Sequence, residues 1–227
     1  MCIRDRHNAG LTVDTIDLGG ALVTGMATIT DGQAHTLVDD GLHFAAGDVI
    51  TLDATGGTHL QSSLKDLQKL GVDTVLVGGA GLTIEAGAGP LDATGLPVFS
   101  DGGTATLGLG DAMQLDQAAQ LATDLSDTGL DAIQLDLGAT PTAGILGTTT
   151  TGLVDYSADV TALLNDTQLL NDISSLHNAG LTVDTIDLGG ALVAGNATIS
   201  ADQAQTLITD GLHFAAGDVI TLDATGG

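Results

Sequence analysis

Aromatic side chains make up only 2% of the 227 residues, with no Trp, one Tyr and three Phe. A core without large rings must be assembled from Leu, Val, Ile and Ala, which suits thin stacked layers better than one thick globular centre. The single cysteine, Cys2, excludes a disulfide framework. Lys and Arg together number four against 29 acidic residues, and the net charge is −25. That balance excludes nucleic acid and anionic lipid surfaces as partners, because the chain has almost nothing with which to neutralise phosphates. The longest uncharged stretch, 137–154, is rich in Thr, Gly and Pro and reads as loop, so membrane insertion is not expected either.

What is present argues for folding. Hydrophobic residues make up 43% of the chain and the mean hydropathy is +0.33, which sets the acidity apart from that of a disordered tail. Nearly all the acid is Asp, with Glu85 the one Glu. Residues 1–6, MCIRDR, hold Cys2, Arg4 and Arg6, and they resemble translated sequencing-adapter readthrough. They are set aside from the fold as non-native. The cations that remain are Lys65 and Lys69.

The dominant feature is repetition. Residues 7–57 recur at 177–227, an offset of 170, with eight differences in 51 positions: Thr24/Ala194, Met26/Asn196, Thr30/Ser200, Asp31/Ala201, Gly32/Asp202, His35/Gln205, Val38/Ile208 and Asp39/Thr209. Repetition at a long period is the signature of stacked units, so the chain is expected to enter and leave inside a repeat. A shorter pattern, Asp-x-[Ile/Val]-x-[Leu/Val]-[Asp/Gly], occurs at 14–19, 48–53, 73–78, 131–136, 184–189 and 218–223. Its apolar residues alternate with polar ones, as in a strand with one buried face. Ala27–Thr30 and Leu82–Glu85 read as further short strands that pair locally.

Amphipathic segments lie between these strands. Leu60, Leu64 and Leu67 form one stripe, with Thr58 and Gln61 as a capping box and Gly71 as the stop. Residues 30–41 and 200–211 repeat the Thr/Ser-x-x-Gln start and the Gly stop. Residues 111–129 and 157–180 also run from a cap to a Gly. The expected fold is α/β: tandem β-β-α-β-α-β units with short, mostly parallel strands and single crossover helices, arranged as an elongated array. The units are placed at 7–86, 111–137 and 157–227, with Gly/Pro-rich and Thr/Gly-rich boundaries at 87–110 and 138–152.

The runs ITDGQAHTLVDDGLHFAAGDVITLDATG and THLQSSLKDLQKLGVDTVLV resemble the helix–strand repeats of very large bacterial surface or secreted proteins of the RTX-adhesin type. The resemblance implies a non-catalytic spacer or stalk in a giant extracellular, cell-surface protein, often with calcium. Any surface or glycan ligand would then belong to the parent protein. An alternative is a calcium- or glycan-binding module that uses Asp-bearing strand ends. The family's nonapeptide, GGxGxD, is absent: GGAGLT at 78–83 carries Thr83 where Asp is needed.

No catalytic residue and no required cofactor is expected. The candidate metal ligands are Asp17, Asp53, Asp136, Asp187 and Asp223, within or at the ends of strands, with Asp14, Asp48, Asp73, Asp131, Asp184 and Asp218 opening them. Equivalent strands stacked about 4.8 Å apart would line up like charges, which weakly held calcium would relieve. The competing reading is that these Asp are solvated turn and edge residues, since no Asp-x-Asp-x-Asp loop closes a coordination shell. His7, His35, His43, His59, His177 and His213 show no zinc spacing. Asp127-Thr128-Gly129 matches an aspartic-protease triplet as a string but falls at a helix end. The GGAG at 78–81 has no helix behind it to cradle a pyrophosphate. Exposed strand edges also suggest lateral self-association.

Overall fold

The computed structural model describes residues 14–19, 26–110, 112–136, 167–187, 196–209, 211–214 and 219–223. It is an α/β structure whose paired strands run parallel. The boundary expected at 138–152 and the segment 1–6 lie outside the described residues. Two compact units are present. One comprises Met1–Ala88, Ala93–Ala105 and Thr128–Leu130; the other comprises Gly89–Asp92, Thr106–Asp127 and Asp131–Gly227.

The first unit contains β1 (Thr15–Ile16), β2 (Met26–Thr30), α1 (Asp31–Asp39), β3 (His43–Phe44), β4 (Val49–Ala54), α2 (Leu64–Leu70), β5 (Thr74–Val77), β6 (Leu82–Glu85) and β7 (Val98–Phe99). Its main sheet has the order β2-β4-β5-β7. Thr28 lies beside Thr51, Thr51 beside Thr74, and Thr74 beside Val98, so each rung follows the last after 23 or 24 residues. The strand motif sets the two faces. Ile50, Leu52 and Ala54 are buried while Val49 and Asp53 are exposed, and Val75 and Val77 repeat the burial on the next rung.

The crossover helices supply the other half of the core. At α1 the expected cap is present: the Gln33 backbone N–H donates to Thr30 Oγ1 at 3.4 Å, and the Thr30 backbone N–H donates to Gln33 Oε1 at 2.9 Å. The pair Ser200 and Gln203 does the same at the start of α6 (Ala201–Thr209). At α2 the expectation is corrected. The helix begins at Leu64, and its capping box is Ser63 with Asp66, not Thr58 with Gln61. Residues 58–60 are drawn into a ladder instead: His59 bridges Thr83, and the Leu60 N–H donates to the Thr83 carbonyl. Leu60 is buried all the same, and Leu64, Leu67 and Leu70 are fully buried. Each such leucine contributes about 1.5–3 kcal/mol by leaving water. Gly71 ends the helix at φ +82, a conformation that costs an L side chain but not glycine.

The short strands also depart from expectation. β2 does not pair with a sequence neighbour through a hairpin; it pairs in parallel with β4 across the α1 crossover. A short polar-ended strand cannot bury its face alone, and the helix between the two strands supplies the cover.

The second unit pairs β8 (Ala105–Leu109) with β9 (Ala132–Asp136), β9 with β10 (Thr182–Asp187) and β10 with β12 (His213–Phe214). Separately, β11 (Asn196–Ser200) pairs with β13 (Val219–Asp223). The single helix expected over 111–129 is two, α3 (Ala112–Gln120) and α4 (Ala122–Asp127). At the break the Leu121 N–H is shared between the Gln117 and Ala118 carbonyls, a tightened turn. α5 (Thr167–Asn178) packs on α3, and Leu115, Ala118, Ile173 and Leu176 are buried.

Where rungs turn, backbone lies on backbone. A Cβ built on Gly78 would collide with the carbonyl oxygen of Thr55, and one on Gly102 with that of Val77. Gly56, by contrast, has nothing within 4 Å of such an atom. Gly102→Ala is therefore expected to lower unfolding stability by about 1–3 kcal/mol, against about 0.5 kcal/mol or less for Gly56→Ala. Urea denaturation of the two variants side by side measures the difference.

Candidate functional site

Most of the acid serves the architecture. Asp73 opens β5, and its Oδ2 accepts the Ile50 N–H at 2.7 Å, while its own N–H donates to the Ile50 carbonyl. Asp48 opens β4 and accepts the Leu18 N–H at 3.0 Å. The Asp at the head of the motif thus holds a backbone donor of the preceding rung. Asp31 accepts the Gln61 N–H at 3.1 Å, and Asp66 accepts the Ser63 N–H at 3.1 Å. These are charge-assisted bonds to backbone amides, each stronger than a neutral pair.

The five candidate ligands are not brought together as one site. Asp17 accepts the Gly19 N–H at 2.7 Å, a local turn. Asp53 is exposed and accepts the Thr55 hydroxyl at 2.6 Å and the Thr55 N–H at 3.0 Å. Those two bonds, the hydroxyl first, hold its carboxyl below the ordinary value of 3.8. Asp223 lies beside Ser200 in the β11–β13 register. Only Asp136 and Asp187 are direct register partners, at the ends of β9 and β10. Among the described residues no group of three or more His, Cys, Asp and Glu is placed to hold a metal ion.

The remaining motifs resolve into packing. Gly78 of the GGAG run sits against Thr55, and β6 rather than a helix follows it, so no pyrophosphate cradle forms. Asp127 ends α4, and the Thr128 carbonyl accepts the Phe99 N–H at 2.7 Å. His43 Nε2 lies 3.1 Å from Thr15 Oγ1. His35 approaches Asp39 at 3.5 Å on the exposed side of α1. Lys65, whose spacing reads as a solvated face, is half-buried and donates to the Ala88 carbonyl at 2.8 Å. Nothing in the spacing marks that role. The role of Asp48 and Asp73 was visible only as an acid recurring two residues before the first apolar strand position. Among the described residues no helix is long and apolar enough to cross a membrane.

No family model and no curated protein matches the chain. Solved structures that match include a citrate synthase variant, SbnG, at 13% identity over 99% of this chain and 92% of that one, with a TM-score of 0.26. Another is an HpcH/HpaI aldolase/citrate lyase family protein from Burkholderia cenocepacia J2315, at 15% identity over 87% of each chain, with a TM-score of 0.31. This finding corrects the RTX-adhesin-like resemblance and its extracellular spacer role, and with them the exclusion of an enzyme: both matched chains are enzymes, not surface repeats. The physical reason lies in the motifs that carried the resemblance. Caps, Gly stops and Asp-headed strands are what parallel rung stacking demands, and they do not specify a surface protein. At those TM-scores neither likeness gives this chain an activity.

The bonds to Asp53 fix a pH dependence. A carboxyl held below its ordinary value contributes stability above that value and loses it as pH falls through the native one. Thr55→Ala is expected to bring the Asp53 titration back up toward 3.8. Carboxyl chemical shifts followed through acid in both forms measure it.

Proposed function

We propose that the chain binds a divalent cation weakly at the β9–β10 strand ends, with calcium the expected ion and Asp136 and Asp187 its carboxylates. The observation that supports this is the register, which makes Asp136 and Asp187 direct neighbours in a parallel ladder. Neighbouring strands lie about 4.8 Å apart, so two carboxylates meet at a separation that one ion can span. In a chain of net charge −25 the repulsion between them is not offset by nearby lysine or arginine, the two lysines being at 65 and 69. Calcium takes 6–8 oxygens, and two carboxylates supply at most four. Water completes the shell, which places the affinity at the weak, millimolar end of protein calcium sites.

The ion would act on the sheet. Gln134 and Thr185 are register partners 51 residues apart in sequence, so β9 and β10 close a long loop. A bridge at their ends offsets part of the closure entropy and stiffens the second unit. Asp17, Asp53 and Asp223 lie outside this reading, since their register or hydrogen-bond partners are not carboxylates.

Thermal unfolding in EDTA, millimolar magnesium and millimolar calcium, at fixed ionic strength, tests it. Calcium is expected to raise Tm by several degrees beyond magnesium, and Asp136→Asn with Asp187→Asn to abolish the difference. Equal melting in all three buffers would remove the cation from the account.

A further inference from the structure

The second copy of the repeated sequence folds like the first where both are described, yet its apolar face is uncovered. The β11–β13 register reproduces β2–β4 at the 170-residue offset: Ile29 beside Leu52 becomes Ile199 beside Leu222. In the first copy Leu52 is 0% exposed, and Ala34 and Ile50 are as fully buried. In the second, Leu222 is 54% exposed and Ile208 is 72% exposed. Ala204, Phe214 and Ile220 are only half-buried. The strand pairing is the same, so the local fold does not account for the change. A neighbour does.

In the first copy that neighbour is residues 58–77. β5 pairs with the far edge of β4, Val75 beside Leu52, and α2 packs on both α1 and β3. It brings the fully buried Leu64, Leu67 and Leu70 to the same core. Among the described residues β13 pairs on one side only, with β11. A strand edge beside an exposed apolar face is the arrangement that accepts an added strand.

We propose that the α6–β13 face is a docking surface for a helix–strand segment with the chemistry of residues 58–78. Such a segment is an amphipathic helix presenting Leu at the positions of Leu64, Leu67 and Leu70. A parallel strand headed by Asp follows it. The strand lies along β13, its head Asp accepting the Ile220 N–H as Asp73 accepts that of Ile50. The helix covers Leu222 and Ile208. One contact of the first copy has no counterpart: Asp31, which accepts the Gln61 N–H, is Ala201 here. Docking on the second copy therefore rests on the apolar face and the strand edge.

A fluorescent peptide of residues 58–78, titrated into the full chain, tests the proposal. Saturable binding is expected, weakened about tenfold or more by Leu222→Asp in the chain, because a buried leucine becomes a buried charge. Leu222 is exposed in the chain alone, so circular dichroism should show Leu222→Asp melting as the parent does. The peptide carrying Val75→Asp should fail to bind. Absence of saturable binding at several hundred micromolar peptide overturns the proposal, as does binding that Leu222→Asp leaves unchanged. Sedimentation completes the test: a concentration-dependent dimer abolished by Leu222→Asp, without peptide binding, would assign the face to a second copy of this chain and overturn the choice of occupant.

Discussion

Everything in the first unit depends on strands stacked in parallel at one fixed register, with a rung every 23 or 24 residues. Parallel pairing forces a crossover between strands, and the crossovers are α1 and α2. Their short length leaves room for only two or three inward leucines per helix, and that is how a chain almost without aromatics still closes a core. The same stacking removes space at the turns, where Gly78 and Gly102 lie against carbonyls of the rung before.

Acidity follows from this plan. A strand headed by Asp offers its carboxylate to an amide of the preceding rung, as Asp73 does to Ile50 and Asp48 to Leu18. Lysine or arginine at the same place could not accept that bond. The net charge therefore reports how often the architecture needs an acceptor, and at the β9–β10 strand ends it leaves two carboxylates side by side.

Much of the fold was legible. The alternation in DVITLD and DTVLVG marks β4 and β5, the Thr-x-x-Gln and Ser-x-x-Gln starts mark α1 and α6, and Gly71 marks the end of α2. The start of α2 was not legible, because the Leu60 stripe continues through residues held in a ladder by Thr83. Helical spacing and burial coincide there without a helix. The rung period was hidden beneath the exact 170-residue repeat, since successive rungs share a register rather than a sequence. At the candidate site, sequence placed five aspartates at strand ends but could not say which are neighbours; strand order decides that. The surface-protein resemblance went astray for a related reason, since it took motifs of stacking for marks of a family.

The central claim is the parallel register itself, and backbone NOEs between rungs measure it most directly. In an isotopically labelled chain, contacts are expected from Leu52 to Val75 and from Val75 to Phe99, in the amide–Hα pattern of parallel strands. An antiparallel pattern, or a register displaced by even one residue, would turn the buried faces of β4 and β5 outward and contradict the account.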